Sequence, residues 1–196
     1  MFHNIPKSVT DRMEYLQNRA AEDKAGKGGD RIPLWQVPTE TGKLLAILAA
    51  SAPEGQMIEI GTSGGFSGLW QSLAASATGR HITTFELEPE KVELATETFK
   101  TAKVADKLTI VQGDIRENLD KVIDVSFCFL DASKNVYQDC YDTVVPRMVS
   151  GGLLVADNMI SHEDELTEFW KYVQKDDRVD ALIDPIGSGL LIARKL

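Results

Sequence analysis

Residues 151–160 read GGLLVADNMI, and the way this stretch ends decides how the chain must fold. Leu153, Leu154 and Val155 suit a buried strand, yet Asp157 and Asn158 follow almost at once. A carboxylate and an amide left unpartnered in a core cost several kcal/mol. The strand must therefore end where something receives them. The same arrangement recurs upstream. Apolar runs at Met57–Ile60, His81–Glu86, Leu108–Gln112 and Val125–Leu130 each stop at a glycine or a polar residue. Helical spacing fills the intervals at Phe66–Ala77, Pro89–Ala102, a short stretch after Asp114, and Asn135–Val149. Continuous apolar strands alternating with helices predict an α/β fold, a doubly wound and mostly parallel sheet covered on both faces. A helix at Glu163–Gln174 precedes Val179–Ile183 and Leu190–Ala193, and the DPIGS segment with Gly189 joins these two as a hairpin. The sheet is thus expected to finish with an antiparallel pair. In such sheets ligands collect outside the carboxyl ends of the strands.

Ahead of the sheet, Thr10 is a candidate N-cap for a helix that places Met13, Leu16 and Ala20 on one face. The segment GKGGDRIPLWQVP, residues 26–38, holds three glycines and two prolines and reads as a mobile or functional loop. Thr39 opens a second helix. We read residues 1–196 as a single domain: 1–38 form the N-terminal helix and a substrate and cofactor loop, 39–196 the cofactor-binding core.

Composition narrows the function. The chain has 21 Lys and Arg against 30 Asp and Glu, a formal net charge of -9. That balance argues against gripping a phosphate backbone, which needs a basic face. Its two cysteines, Cys128 and Cys140, are too few for a disulfide framework, and Cys128 sits in an apolar run as a reduced thiol would. No segment approaches the roughly 20 apolar residues that span a bilayer. A cytoplasmic protein with neither nucleic-acid nor membrane partners is expected.

The strand ends carry the candidate chemistry. In EIGTSGGFSG, Gly61, Gly64 and Gly65 serve either a tight turn or close approach of backbone to a ligand. The spacing fails the dinucleotide fingerprint G-x-G-x-x-G, because Ser63 stands where the second glycine is required. Glu59, between Ile58 and Ile60, needs a partner, either backbone amides or a ligand's ammonium group. Glu86 can accept the hydroxyls of a ribose, or be a solvated helix cap, although Glu88 and Glu90 can also cap. Asp114 either receives an adenine amino group or caps the next short helix. Asp131 and Lys134 end the fourth strand, where they read as an N-cap and a solvated cation until Asp157 and Asn158 are set beside them. Two carboxylates and an amide oxygen at neighbouring strand tips suit a hard cation such as Mg²⁺. The alternative for Asp157 and Asn158 is a turn bonding its own backbone.

Five stretches, EIGTSGGFS, FELEPE, FLDASKNVY, GGLLVADN and GSGLLIAR, occur in this order between about Trp35 and Ala193. Together they resemble the cation-dependent O-methyltransferases that use S-adenosylmethionine, such as the catechol and caffeoyl-CoA enzymes. The resemblance implies a seven-stranded Rossmann-like sheet with a reversed last strand. It implies that Glu59, Gly61, Thr62 and Ser67 line the methionine part of the cofactor, with Val37 touching it through the backbone. Glu86 would hold the ribose, and Asp114 and Ile115 would border the adenine. Asp131, Asp157 and Asn158 would be the metal ligands, Asp131 also meeting the cofactor and sharing the catalytic role with Lys134, the general base. Trp35 and His162 fall where relatives contact substrate, a small hydroxylated aromatic molecule, and a homodimer is implied. One departure is Ser133, where the commonest motif has a second aspartate that contacts the cofactor. Alternatives from other classes are an NAD-type oxidoreductase and a non-catalytic cofactor-binding protein.

Overall fold

Met57 and Ile58 adjoin in one strand and are both fully buried, yet they pack into different cores. In the computed structural model, which describes residues 1–118 and 121–196, the cause is a central sheet covered on both sides. Successive side chains of a strand point to opposite faces, so a strand buried on both must be apolar throughout. The strands are β1 (Gln56–Ile60), β2 (Ile82–Glu86), β3 (Leu108–Gln112), β4 (Val125–Leu130), β5 (Met148–Ala156), β6 (Val179–Asp184) and β7 (Leu190–Lys195). They form one seven-stranded sheet in the order β3-β2-β1-β4-β5-β7-β6. The first five run parallel, with Ile58 opposite Cys128, whereas β7 runs antiparallel between β5 and β6, with Leu154 opposite Ala193. The expected doubly wound sheet with a reversed final strand is what forms.

Helices α1 (Lys7–Lys24), α2 (Thr39–Ser51), α3 (Phe66–Thr78) and α4 (Pro89–Thr101) contribute to the core that holds Met57, Phe127 and Phe129. On the other face, α5 (Tyr137–Val144) and α6 (Glu163–Val173) cover Ile58, Cys128 and Leu130. Among the described residues no helix is long and apolar enough to cross a membrane.

Three local expectations are corrected. Thr10 does not cap α1, which starts three residues earlier behind Pro6, and its hydroxyl donates back to the Lys7 carbonyl at 3.0 Å. Pro6 ends the extended segment, and Lys7 and Asp11 pair across the first turn at 2.7 Å, so the helix gains a turn that Thr10 was expected to exclude. The single helix expected at Asn135–Val149 is instead a 3-10 turn at Lys134–Val136, α5, and a second 3-10 turn at Val145–Arg147. Pro146 has no amide hydrogen to continue the helical ladder, and the chain turns extended at Met148. As a result β5 is longer than the apolar run Leu153–Ala156 suggests.

The parallel ladder continues past the strands and lines up their ends. Gly113 donates to the Glu86 carbonyl, Gly61 to Phe85, Asp131 to Ile60 and Asp157 to Leu130, at 2.9 to 3.1 Å. The chain winds outward in opposite directions from β1 and β4, so their ends flank the switch point where α/β sheets bind ligands. Gly61 permits this close approach: at φ +99°, any Cβ would collide with the carbonyl oxygen of Asp131.

Candidate active site

Outside these aligned strand ends lies a cleft of about 640 Å³. It brings together Glu86, Asp114 and Ile115 at one end with Asp131, Lys134, Asp157, Asn158 and His162 at the other. A small inner cavity adjoins it, walled by Val37, Gly61, Thr62 and Ser67, and Asp131 borders both spaces. Trp35 stands on the rim with 78% of its surface exposed. Of the residues singled out at the strand ends, Glu59 and Gly65 line neither space.

Glu59 points to the same side of β1 as Met57, toward α3, and is fully buried. The partners expected for it were backbone amides or a ligand. It is met instead by three side chains: Ser67 Oγ and Gln71 Nε2 donate to one carboxylate oxygen, both at 2.6 Å, and Thr84 Oγ1 to the other at 2.7 Å. The reason is periodicity, since Ser67 and Gln71 lie one helical turn apart on the face of α3 that covers β1. Thr84 has a single hydroxyl proton and spends it on Glu59, so Thr62 must donate to Thr84 across their 2.5 Å contact. Burial pushes the Glu59 carboxyl up to about 7, against the pull of these donors.

Glu86 is neither solvated nor a helix cap. It is 7% exposed and accepts three backbone amides, from Ser63 at 2.7 Å, Leu87 at 2.9 Å and Glu88 at 3.1 Å. Glu88 occupies the N-cap position of α4 without a side-chain cap bond. Asp114 does cap the short turn at Ile115–Glu117, accepting the Arg116 amide at 2.8 Å, and it also lines the cleft. The Arg116 guanidinium forks onto the same carboxylate and holds its pKa below the usual range.

The metal-like end is built differently. Lys134 Nζ lies 3.3 Å from Asp131 Oδ1 and 3.0 Å from both the Ala132 carbonyl and the Tyr137 hydroxyl. Asp157 is 3% exposed and its Oδ1 is buried with no hydrogen-bond partner. Burial first, then the neighbouring charge of Asp131, pushes the Asp157 carboxyl up to about 7. Burial likewise raises Asp131, offset by Lys134 and more weakly by His162 and Lys91. Asn158 adopts a left-handed backbone at φ +67° and lines the cleft, and its Nδ2 donates to Ser161 Oγ at 3.2 Å. The turn at Asp157 and Asn158 thus bonds its own backbone in part, through the Asn158 amide, and leaves Asp157 Oδ1 without a partner. An orphaned carboxylate oxygen, a second carboxylate close enough to repel it and an adjacent amide oxygen fit a hard divalent cation. Among the described residues no group of three His, Cys, Asp or Glu side chains is placed to hold a metal; the set here is two carboxylates and an amide.

Sequence reasoning missed several residues. Ser161 bridges Asn158 to His162, with its Oγ 2.9 Å from His162 Nδ1, and the Asn-x-x-Ser-His spacing was the available signal. Tyr137 and Arg116 were passed over because their partners are visible only in three dimensions. Ser133 lines the cleft, but its side chain makes no cap bond to the turn that follows.

Comparison with known proteins gives this geometry a context. A catechol O-methyltransferase of Mycobacterium tuberculosis is 32% identical over 143 residues, covering 72% of this chain and 62% of that protein. Tapetum-specific methyltransferase 1 of Arabidopsis thaliana is 28% identical over 182 residues, covering 82% of this chain and 78% of that one. A solved methyltransferase from Podospora anserina with SAH (S-adenosylhomocysteine) bound shares the fold. Its TM-score is 0.82 at 20% identity, over 98% of this chain and 89% of the other. A model of the O-methyltransferase family matches residues 13–196, from within α1 to the last residue after β7, and on that match the chain belongs to the O-methyltransferase family.

Proposed function

We propose that the cleft transfers a methyl group from S-adenosylmethionine to one hydroxyl of a catechol-like vicinal diol, assisted by Mg²⁺ or another divalent cation. The observation that carries this reading is Asp157 Oδ1, buried without a partner beside Asp131 and Asn158, with the Lys134 amine next to them. Family membership supports the reaction type and replaces the NAD-type oxidoreductase alternative. Similar structures with SAH bound support the donor.

Each residue then has a task. Glu86, held rigid by three amides, turns its remaining lone pairs to the ribose hydroxyls. Asp114 and Ile115 border the adenine. Val37, Gly61, Thr62 and Ser67 wall the inner cavity for the methionine part, and Glu59 braces that wall from behind through Ser67 and, by way of Thr84, Thr62. Asp131, Asp157 and Asn158 would hold the cation, which would supply Lewis acidity and a template for two adjacent hydroxyls. Lys134 takes the hydroxyl proton as that oxygen attacks the methyl carbon, and the carbon–sulfur bonding pair remains on sulfur. Trp35 and His162 flank the acceptor. Holding donor and acceptor in line contributes roughly 7–11 kcal/mol in favourable cases. A homodimer acting in the cytoplasm on a small aromatic substrate belongs to the same reading, and sedimentation as a monomer at working concentration would remove the dimer from it.

The test is incubation with the methyl donor and a panel of catechols, monophenols and aliphatic diols. Methylation of catechols that needs Mg²⁺ is expected. Full turnover in excess EDTA would rule out the cation. Donor binding without methylation of any diol would favour a non-catalytic cofactor-binding protein.

A further inference from the structure

Tyr137 touches neither the cleft nor the inner cavity, and it is fully buried. Its hydroxyl nonetheless sits between the two halves of the proposed catalytic centre, 3.0 Å from Lys134 Nζ and 3.3 Å from the backbone carbonyl of Asp157. We propose that Tyr137 is a positioning residue, whose hydroxyl holds the Lys134 amine at a fixed place relative to the strand end that carries Asp157. This rests on the function proposed above.

The assignment follows from counting protons. A phenol has one, and its acceptor here is the Asp157 carbonyl, which leaves the oxygen lone pairs facing Lys134. The ring cannot swing away. It stands edge-on to Phe169, centroids 5.7 Å apart at 89°, inside the core formed by α5 and α6. Lys134, by contrast, has a long flexible stem, and holding it in one place costs rotamer entropy. Its other two partners are the Ala132 carbonyl and Asp131, and Asp131 is the carboxylate that a cation would engage. Among the described residues Tyr137 is the side chain that binds the amine without being a candidate cation ligand. A misplacement of about 1 Å in such a group can cost on the order of a hundredfold in rate.

The experiment compares Tyr137→Phe with Tyr141→Phe, which removes the hydroxyl of another buried tyrosine, bonded to Asp176 at 2.9 Å and lining neither the cleft nor the inner cavity. Y137F is expected to lower kcat about ten- to hundredfold, with KM for donor and acceptor within about twofold of wild type. Y141F is expected to leave kcat unchanged. In a Lys134→Ala background Y137F should add no further loss, because it acts through that amine. Unchanged kcat in Y137F, or losses that multiply in the double variant, would overturn the proposal. So would loss of donor binding in Y137F, which would make the hydroxyl a prop of the fold. A crystal structure of Y137F supplies a readout free of activity. The Lys134 amine is expected to leave its wild-type position; an amine still within about 3.5 Å of Asp131 and the Ala132 carbonyl would refute the assignment. If wild type methylates no diol while the amine is released in Y137F, the proposed function fails and the positioning role stands.

Discussion

Glu59 and Asp157 are both buried carboxylates near the ends of parallel strands, and burial pushes both up to about 7. Their surroundings differ completely. Glu59 is met by three donors from Ser67, Gln71 and Thr84, whereas Asp157 keeps an oxygen with no partner and faces a second carboxylate. The first arrangement is complete without a ligand and behaves as structure. The second leaves a buried polar atom unsatisfied, a feature that clusters at functional sites rather than in cores.

The largest expected effect breaks this contrast at Asp157. Replacement by Ala should lower methyl transfer about a thousandfold, the equivalent of roughly 4 kcal/mol of charge stabilisation. The same change should raise the melting temperature of the metal-free protein at neutral pH, since it removes an uncompensated buried charge. A variant both active and less stable would reverse the interpretation. Lys134→Ala should cost about a hundredfold in turnover, the lower end of what a lost general base costs. Turnover equal to wild type would exclude it as the base.

Glu59→Gln is expected to act the other way, on stability before chemistry. An amide nitrogen in place of one carboxylate oxygen faces a hydroxyl or amide that now lacks its acceptor, at a cost of about 1–3 kcal/mol. Chemical denaturation should show that loss, and an unchanged midpoint would show that the donors had found other partners. A further effect is in pH. Because the folded pKa of Glu59 is about 7 against 4.5 unfolded, its contribution is fully present below pH 4.5 and is lost as pH rises through about 7. Asp157 has the same sign over the window from 3.8 to about 7. Stability of the metal-free protein should therefore decline across this range. Mg²⁺ should abolish the Asp157 share and leave the Glu59 share, which E59Q removes. A decline unaltered by either Mg²⁺ or E59Q would show that neither carboxylate titrates as described.

How much of this was legible beforehand differs by level. Strand and helix placement for β1 to β4 could be read almost to the residue, because continuous apolar runs ending in glycine or an acidic residue are local signals. Asp131, Lys134, Asp157 and Asn158 were also legible, as polar side chains stranded at the ends of buried strands. Thr10 misled because a good capping residue does not cap when Pro6 starts the helix earlier. The helix across Asn135–Val149 misled because its apolar spacing runs on through Pro146, where the ladder cannot. Glu59 was correctly marked as needing a partner, but its partners lie on another helix and another strand.

The sequence by itself determined the sheet, its order of elements and the row of polar residues at the strand ends, because apolar periodicity and residue type act over a few neighbouring positions. Only the tertiary structure decided which of those polar residues are satisfied. Thr84 reaches Glu59 from 25 positions away and Tyr137 reaches the Asp157 carbonyl from 20. A hydrogen bond depends on a few tenths of an ångström and on direction. That precision comes from packing distant segments together, so the difference between a completed carboxylate and a waiting one emerges only when the chain is folded.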